Sequence, residues 1–213
     1  VLLPSISAND FGEIDVFTGS YSVLEELTGF HVHRGALAEM VRPEPMSLEP
    51  ILQDAKTVVV LEDIVDHTNV GAIFRAAAGL GIDAILITPE RADPLYRRSI
   101  RVSMGSVFTL PWTRIPGWPG SIESLKRLGF TTVAITPENV DGAQALDLRE
   151  FATHSQSTNK DERTALILGT EGEGITAASL SNCDQSVYIP MSNEVSSLNV
   201  ASAAAVVFWA LKR

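Results

Sequence analysis

From residue 55 onward, short apolar runs alternate with stretches of helical spacing, and this alternation restricts the fold more than any other feature of the chain. The runs at residues 57–61, 84–88, 132–135, 165–168 and 186–189 read as strands. Residues 70–80, 121–128 and 198–211 carry helical patterns between and after them. Strands separated by helices predict an α/β fold with a mainly parallel sheet covered on both faces. In such sheets ligands collect beyond the carboxyl ends of the strands, so the loops that follow the runs are where chemistry is expected. No internal repeat or low-complexity tract competes with this reading.

The amino-terminal part is different. Residues 14–17 are strand-like, residues 20–27 form a predicted helix and residues 31–35 follow, too little to carry a core of their own. They read as the end of a domain whose beginning is absent, over residues 1–41. Arg42-Pro43-Glu44-Pro45-Met46-Ser47 has the two prolines and the polarity of a linker, which places a boundary within residues 42–52 and the main domain at 53–213. The chain starts at Val1 rather than at a methionine and has no basic-then-apolar leader, so it is expected to begin inside a longer gene product.

Charge and cysteine usage narrow the function classes. A single cysteine, Cys183, excludes an intrachain disulfide and a zinc site built on paired cysteines, so no metal is expected and a cytoplasmic location is. The longest apolar stretch, residues 198–211, contains Asn199 and Ser202 and falls short of the roughly 20 residues of a membrane span. A net charge of −10 argues against a protein that coats nucleic acid by bulk electrostatics. The charge is uneven, however: residues 1–50 carry −6 and residues 51–213 carry −4. Arg91, Arg97, Arg98 and Arg101 crowd into eleven residues against only Asp93, which leaves a local anion site open there despite the acidic whole.

Three loops carry the chemical signal. The first runs from Glu62 to Asn69 into a helix of largely small residues on which Arg75 is the one large cation. Asn69 suits the N-cap of that helix, and Arg75 reads either as a functional group or as a solvated arginine on a helix face. The second follows Leu166-Ile167-Leu168 and reads Gly169-Thr170-Glu171-Gly172-Glu173-Gly174. Its three glycines let the backbone turn sharply and approach a ligand, or make only a tight turn. Their spacing fits neither a Rossmann fingerprint nor a P-loop. The third, residues 189–201, runs into an almost wholly apolar helix with Ser197 and Asn199 at its start. Those two polar groups either cap the helix or face a ligand. A helix apolar on all sides is expected to be buried on all sides, and Ala201, Ala203, Ala204 and Ala205 permit close approach to a neighbour.

Together and in this order, Asn69-Val-Gly-Ala-Ile-Phe-Arg75, Leu168-Gly-Thr-Glu171-Gly-Glu-Gly174 and Ile189-Pro-Met-Ser-Asn-Glu-Val-Ser-Ser197-Leu-Asn199-Val resemble the three motifs of the SpoU (TrmH) branch of the SPOUT RNA methyltransferases. The resemblance spans residues 55–213 and takes in Gly79-Leu80-Gly81-Ile82 and Ser103-Met104-Gly105. Residues 23–42 are similar to the end of the L30e-like RNA-binding domain that precedes many members. One departure is Ala201, where many members have serine.

The resemblance implies a SPOUT-type fold with a C-terminal trefoil knot, a homodimer, and S-adenosyl-L-methionine held by the second and third loops. The cofactor-binding residues carried over are Leu168, Gly169, Thr170, Gly172 and Gly174, with Ile189, Pro190, Met191, Ser197, Leu198 and Asn199. The implied activity is methylation of a ribose 2′-hydroxyl in RNA, ribosomal RNA ahead of transfer RNA. Arg75 stands at the hydroxyl, Asn69 and Glu171 position the nucleotide and Arg75, and Ser197 and Asn199 shape the site, while Arg91, Arg97, Arg98 and Arg101 bind RNA. An arginine of one subunit is expected to meet motif residues of the other. His67 would titrate usefully beside Asn69, although a lone loop histidine is more often only solvated. The competing readings are a noncatalytic RNA-binding or ribosome-assembly protein that keeps the fold, and a small-molecule methyltransferase, which the acidity favours.

Overall fold

The computed structural model describes residues 17–29, 31–32, 38, 41–89, 92–140, 143–158, 162–192 and 197–212. Residues 14–16, 33–35, 193–196 and Arg91, all used in the sequence reading, lie outside the described residues. The chain divides into two compact units, residues 1–44 and 45–213. In the first, helix α1 (Tyr21–Thr28) is capped by the Ser20 hydroxyl and ended by Gly29 in the left-handed conformation, and none of its residues is buried.

In the second unit the elements follow as α2 (Leu48–Leu52), β1 (Thr57–Leu61), α3 (His67–Leu80), β2 (Ala84–Ile87), α4 (Arg97–Ser103) and β3 (Trp112–Arg114). Then come α5 (Ser121–Arg127), β4 (Phe130–Thr136), the hairpin β5 (Asn139–Val140) and β6 (Ala143–Gln144), β7 (Leu146–Asp147) and α6 (Leu148–Thr158). The chain finishes with β8 (Arg163–Leu168), α7 (Ala177–Asn182), β9 (Gln185–Tyr188) and α8 (Val200–Leu211). The expected linker is therefore too long at its carboxyl end. Residues 48–52 form α2, whose Ile51 and Leu52 are buried in the core.

Seven strands form one sheet in the order β3-β2-β1-β8-β4-β9-β7, every adjacent pair parallel. The sheet is buried on both faces, which is why its central strands read as continuous apolar runs rather than alternating ones. In β1 and β8, Val59, Leu61, Leu166 and Leu168 enter one core layer, and Val58, Val60, Ala165 and Ile167 enter the other. Helices α3, α6 and α8 cover the first layer, whereas α2 and α5 cover the second. Strand β8, late in sequence, sits between β1 and β4, so the loops after β1, β4, β8 and β9 all emerge at the same end of the sheet.

The first loop ends differently from the expectation. Asp66, not Asn69, is the N-cap of α3, its carboxylate accepting the Thr68 amide at 2.7 Å. That bond, helped by the positive field of Arg98, holds the Asp66 carboxyl below its ordinary range. Asn69 thus lies inside the first turn. Two residues on, Gly71 is needed for packing: a Cβ there would stand 2.6 Å from the Ser99 carbonyl oxygen of α4. Helix α8 also departs from the expectation, since one face remains open in the single chain, with Trp209 72% and Val206 40% exposed. Its inner face, with Val200, Ala204, Val207 and Phe208, is buried, and Ala201 packs partly buried against the same core.

Phe74, fully buried and edge-on to Trp112 at a ring separation of 6.3 Å, joins α3 to the edge strand β3. Phe74→Ala is expected to cost about 3–5 kcal/mol, and Phe74→Leu about 1.5 kcal/mol, in urea unfolding. Equal and small losses in both would show that α3 is not anchored through this ring.

Candidate active site

At the carboxyl end of the sheet lies a cavity of about 740 Å³. Its walls come from the end of β4 (Ile135, Thr136, Pro137, Glu138), the loop after β8 (168–175), the loop after β9 (Ile189, Met191, Ser192) and the entry to α8 (Ser197, Leu198, Val200, Ala203). This is where an open parallel sheet presents its ligands. Glu138, Glu171 and Glu173 supply carboxylates, and no lysine, arginine or histidine is among the described lining residues. Such a lining suits a ligand with positive charge and disfavours a phosphate. The Thr136 hydroxyl, buried at the end of β4, has no hydrogen-bond partner among the described residues. A buried hydroxyl left unpaired is costly, and Thr136 stands on the wall of this cavity.

The loop after β8 is self-supporting. Thr170 and Gly174 exchange two main-chain hydrogen bonds of 3.0 and 3.1 Å, and the Glu173 amide bonds the Thr170 hydroxyl at 3.2 Å. A Cβ on Gly169 would lie 2.2 Å from the backbone of Gly174, so only glycine fits. The sequence left these glycines either to close approach of a ligand or to a tight turn; at Gly169 the loop's own closure already requires one.

Asn199 links the three loops. Its Oδ1 caps α8 by accepting the Ala201 and Ser202 amides at 2.9 and 3.3 Å. With the oxygen committed to the helix, the Nδ2 group points the other way. It donates to Asn69 Oδ1 at 3.0 Å and to the Glu171 carboxylate. Capping and site-building, alternatives on the sequence, are therefore both served by one carboxamide. Because Asn69 Oδ1 is occupied, its own amide donors are left for another acceptor.

Of the residues expected to be catalytic, the structure brings together Asn69, Glu171 and Asn199, with Ser197 on the cavity wall. Arg75 is not with them. It lies six residues beyond Asn69 on α3, about 9 Å along the axis and about 120° around it. There it lines a shallow groove with Ala72, Ala76, Gly79, Leu80 and Val102. Arg75 is exposed and makes no hydrogen bond or ion pair among the described residues. The expected cofactor residues line the cavity except Pro190 and Asn199, the second of which stands behind the wall as a tie. Sequence reasoning missed Thr136 and Glu138, because a polar residue ending a strand carries no signal of its own. Arg97, Arg98 and Arg101 are exposed on α4. His67 opens α3 and its ring stacks against Tyr96 at 4.2 Å. Cys183 is half-buried, and burial pushes its thiol up to about 12, so it stays protonated.

A profile described as the SpoU rRNA Methylase family matches residues 56–209. The chain belongs to the SpoU family. An uncharacterized tRNA/rRNA methyltransferase of Mycobacterium tuberculosis is 44% identical to it over 194 residues, which cover 91% of this chain and 64% of that protein. The chain thus spans less than two thirds of that relative's length. The 23S rRNA (guanosine-2′-O-)-methyltransferase RlmB of Acinetobacter baylyi is 31% identical over 208 residues, covering 95% of this chain and 79% of that protein. Among solved structures, the SpoU methyltransferase AviRb from Streptomyces viridochromogenes in complex with the cofactor AdoMet is similar with a TM-score of 0.65 and 27% identity, over 78% of this chain and 64% of that one. The SpoU motifs therefore sit here on the sheet, the cavity and the loops joined through Asn199.

Asn199→Asp separates the two duties of the carboxamide, since it keeps an oxygen for the helix cap but replaces the donor with a second oxygen facing Glu171 and Asn69. A stability loss of about 1–3 kcal/mol is expected in urea unfolding. A variant as stable as the wild type would reduce Asn199 to a helix cap.

Proposed function

We propose that this SpoU-family chain binds S-adenosylmethionine in the 740 Å³ cavity and transfers its methyl group to a ribose 2′-hydroxyl of RNA, ribosomal RNA ahead of transfer RNA. The observation that carries the cofactor is the lining itself: three carboxylates, no described cation, and the polar main chain of the 169–174 turn suit a ligand that is cationic at sulfur and amine and rich in donors and acceptors at its adenosine end. When bound, the cofactor supplies an electrophilic methyl group. The 2′-hydroxyl is favoured by the likeness to RlmB, whose name carries that specificity. A trefoil knot of the C-terminal segment is part of the same reading. It is supported by the insertion of β8 between β1 and β4 and by the 168–175 and 189–198 segments lining one cavity.

The chain's own residues then have distinct tasks. The second and third loops hold the ligand, and the Asn199 tie fixes Glu171 and Asn69 beside it. A ribose hydroxyl is a poor nucleophile until its proton leaves, so orientation and charge stabilisation matter most. A guanidinium stays protonated at neutral pH, which suits Arg75 to hold the hydroxyl and offset developing negative charge rather than to act as a base. Since Arg75 faces away from its own chain's cavity, the site is completed by Arg75 of a second copy. The exposed Trp209 and Val206 of α8 and the small-residue groove beside Arg75 give such a copy apolar surface to cover. Arg97, Arg98 and Arg101 offer the RNA phosphates positive charge in an otherwise acidic chain. The single half-buried thiol accords with a cytoplasmic place of action. A noncatalytic RNA-binding role is disfavoured, because binding alone does not call for an acidic cavity.

A radiolabelled methyl-transfer assay on unmodified ribosomal and transfer RNA tests the proposal. Arg75→Ala is expected to lower the rate by about a hundredfold to a thousandfold, with S-adenosylmethionine affinity unchanged, and Arg75→Lys to recover little of it. Near-normal rates in both variants would make Arg75 a solvated helix residue, and no transfer by the wild type to any RNA would remove the enzymatic reading.

A further inference from the structure

Glu62 follows β1 directly, is 1% exposed, and has no part in the chemistry above. A carboxylate at that depth is costly unless hydrogen bonds hold it. Its Oε1 accepts the Thr176 hydroxyl at 2.6 Å, the Ser179 hydroxyl at 2.8 Å and the Thr176 amide at 3.3 Å. Its own amide donates to the Leu168 carbonyl at 2.8 Å. Leu168 immediately precedes the loop 169–175 and Thr176 immediately follows it. One residue on a neighbouring strand therefore grips both ends of the loop that forms much of the cavity wall, and Glu171 at its turn reaches Asn199.

Other details point the same way. Thr176 is also the N-cap of α7, with its hydroxyl accepting the Ser179 amide at 3.2 Å, so Glu62 fixes the cap that starts the next helix. Ile175, at the exit of the loop, packs against the core layer that contains Val58 and Val60 of β1. All three donors converge on Oε1, and Oε2 is buried without a partner among the described residues. A group serving only to fill space would not gather three donors, whereas an acceptor at this position ties the residue that follows the loop, and the first turn of α7, to the end of β1.

We propose that Glu62 is a positioning residue for the cofactor loop: its carboxylate and amide clamp residues 168 and 176 together and hold the 169–175 turn in its binding shape before any ligand arrives. The proposal rests on the reading that this loop binds S-adenosylmethionine. The clamp itself is a property of the chain and can be measured without ligand.

The test compares wild type, Glu62→Gln and the triple variant Glu62→Leu, Thr176→Val, Ser179→Ala. Removing the acceptor and both hydroxyl donors together leaves only the Thr176 and Ser179 main-chain amides without their partners, so the triple variant is expected to fold at a modest loss of stability. Its Thr170 and Gly174 amides should exchange hydrogen at least about tenfold faster than in the wild type without ligand, and its S-adenosylmethionine Kd by calorimetry should rise at least about tenfold. Glu62→Gln, which keeps an acceptor oxygen in place, should stay within about threefold of wild type in both readouts. A purely structural role would lower the unfolding midpoint and leave the Kd of the folded protein unchanged. A folded triple variant with wild-type exchange and wild-type affinity overturns the proposal. If the triple variant does not fold, Ser179→Ala, which deletes one of three donors, decides: faster exchange at Gly174 supports the clamp and unchanged exchange overturns it. Should the wild type itself fail to bind S-adenosylmethionine, the cofactor reading falls and the exchange measurement still decides the clamp.

Discussion

The Asn199 carboxamide has only one orientation that satisfies the N-terminus of α8, and the site follows from it. With Oδ1 turned to the Ala201 and Ser202 amides, the Nδ2 donors face Asn69 and Glu171. Three loops distant in sequence then share one small polar centre, at the end of the sheet where β1, β8 and β4 lie side by side. Each bond of this kind contributes only about 1 kcal/mol net, so the centre is held chiefly by the buried sheet beneath it and not by its own strength. What the bonds supply is geometry: Glu171 is tied to Asn199 at the cavity wall, and Asn69 presents its amide donors in a fixed direction.

Much of this was readable from the residues alone, for reasons that are physical. Strands β1 and β8 are buried on both faces, so Val58 to Leu61 and Ala165 to Leu168 appear as unbroken apolar runs. Strand β3 has three residues and β7 two, too short for any periodicity to register. Helix α4 carries Arg97, Arg98 and Arg101 and buries only Ser99 and Ser103, so it lacks the apolar stripe by which helices are recognised. The N-cap of α3 shows competition between two candidates. Asp66 and Asn69 both suit the role, and the tie from Asn69 to Asn199, 130 residues away, reserves Asn69 for the site.

The site residues divide in the same manner. The motif residues Asn69, Glu171 and Asn199 stood out by pattern, yet nothing in the pattern told which would meet within one chain. Arg75 is the instructive case: the helix that buries Phe74 necessarily turns Arg75 outward, because adjacent helical residues differ by about 100°. An exposed arginine placed so is either solvated or serves another subunit. Glu62 and Thr136 were invisible for the opposite reason, since a single polar residue closing an apolar run looks like the ordinary end of a strand. The acidity of the chain, which seemed to disfavour RNA, is concentrated partly where Glu138, Glu171 and Glu173 face the cavity.

In the proposed reaction, Arg75 of one subunit meets the Asn69, Glu171 and Asn199 cluster of another. Subunit complementation tests it most directly. Arg75→Ala and Glu171→Ala homodimers should each be inactive, while a heterodimer of the two, co-expressed with different tags and purified through both, holds one intact composite site. That heterodimer is expected to transfer methyl groups to RNA at about half the wild-type rate. A heterodimer as inactive as its parents, or a wild-type protein that remains a monomer while active, would contradict a shared site and return Arg75 to the surface of its own chain.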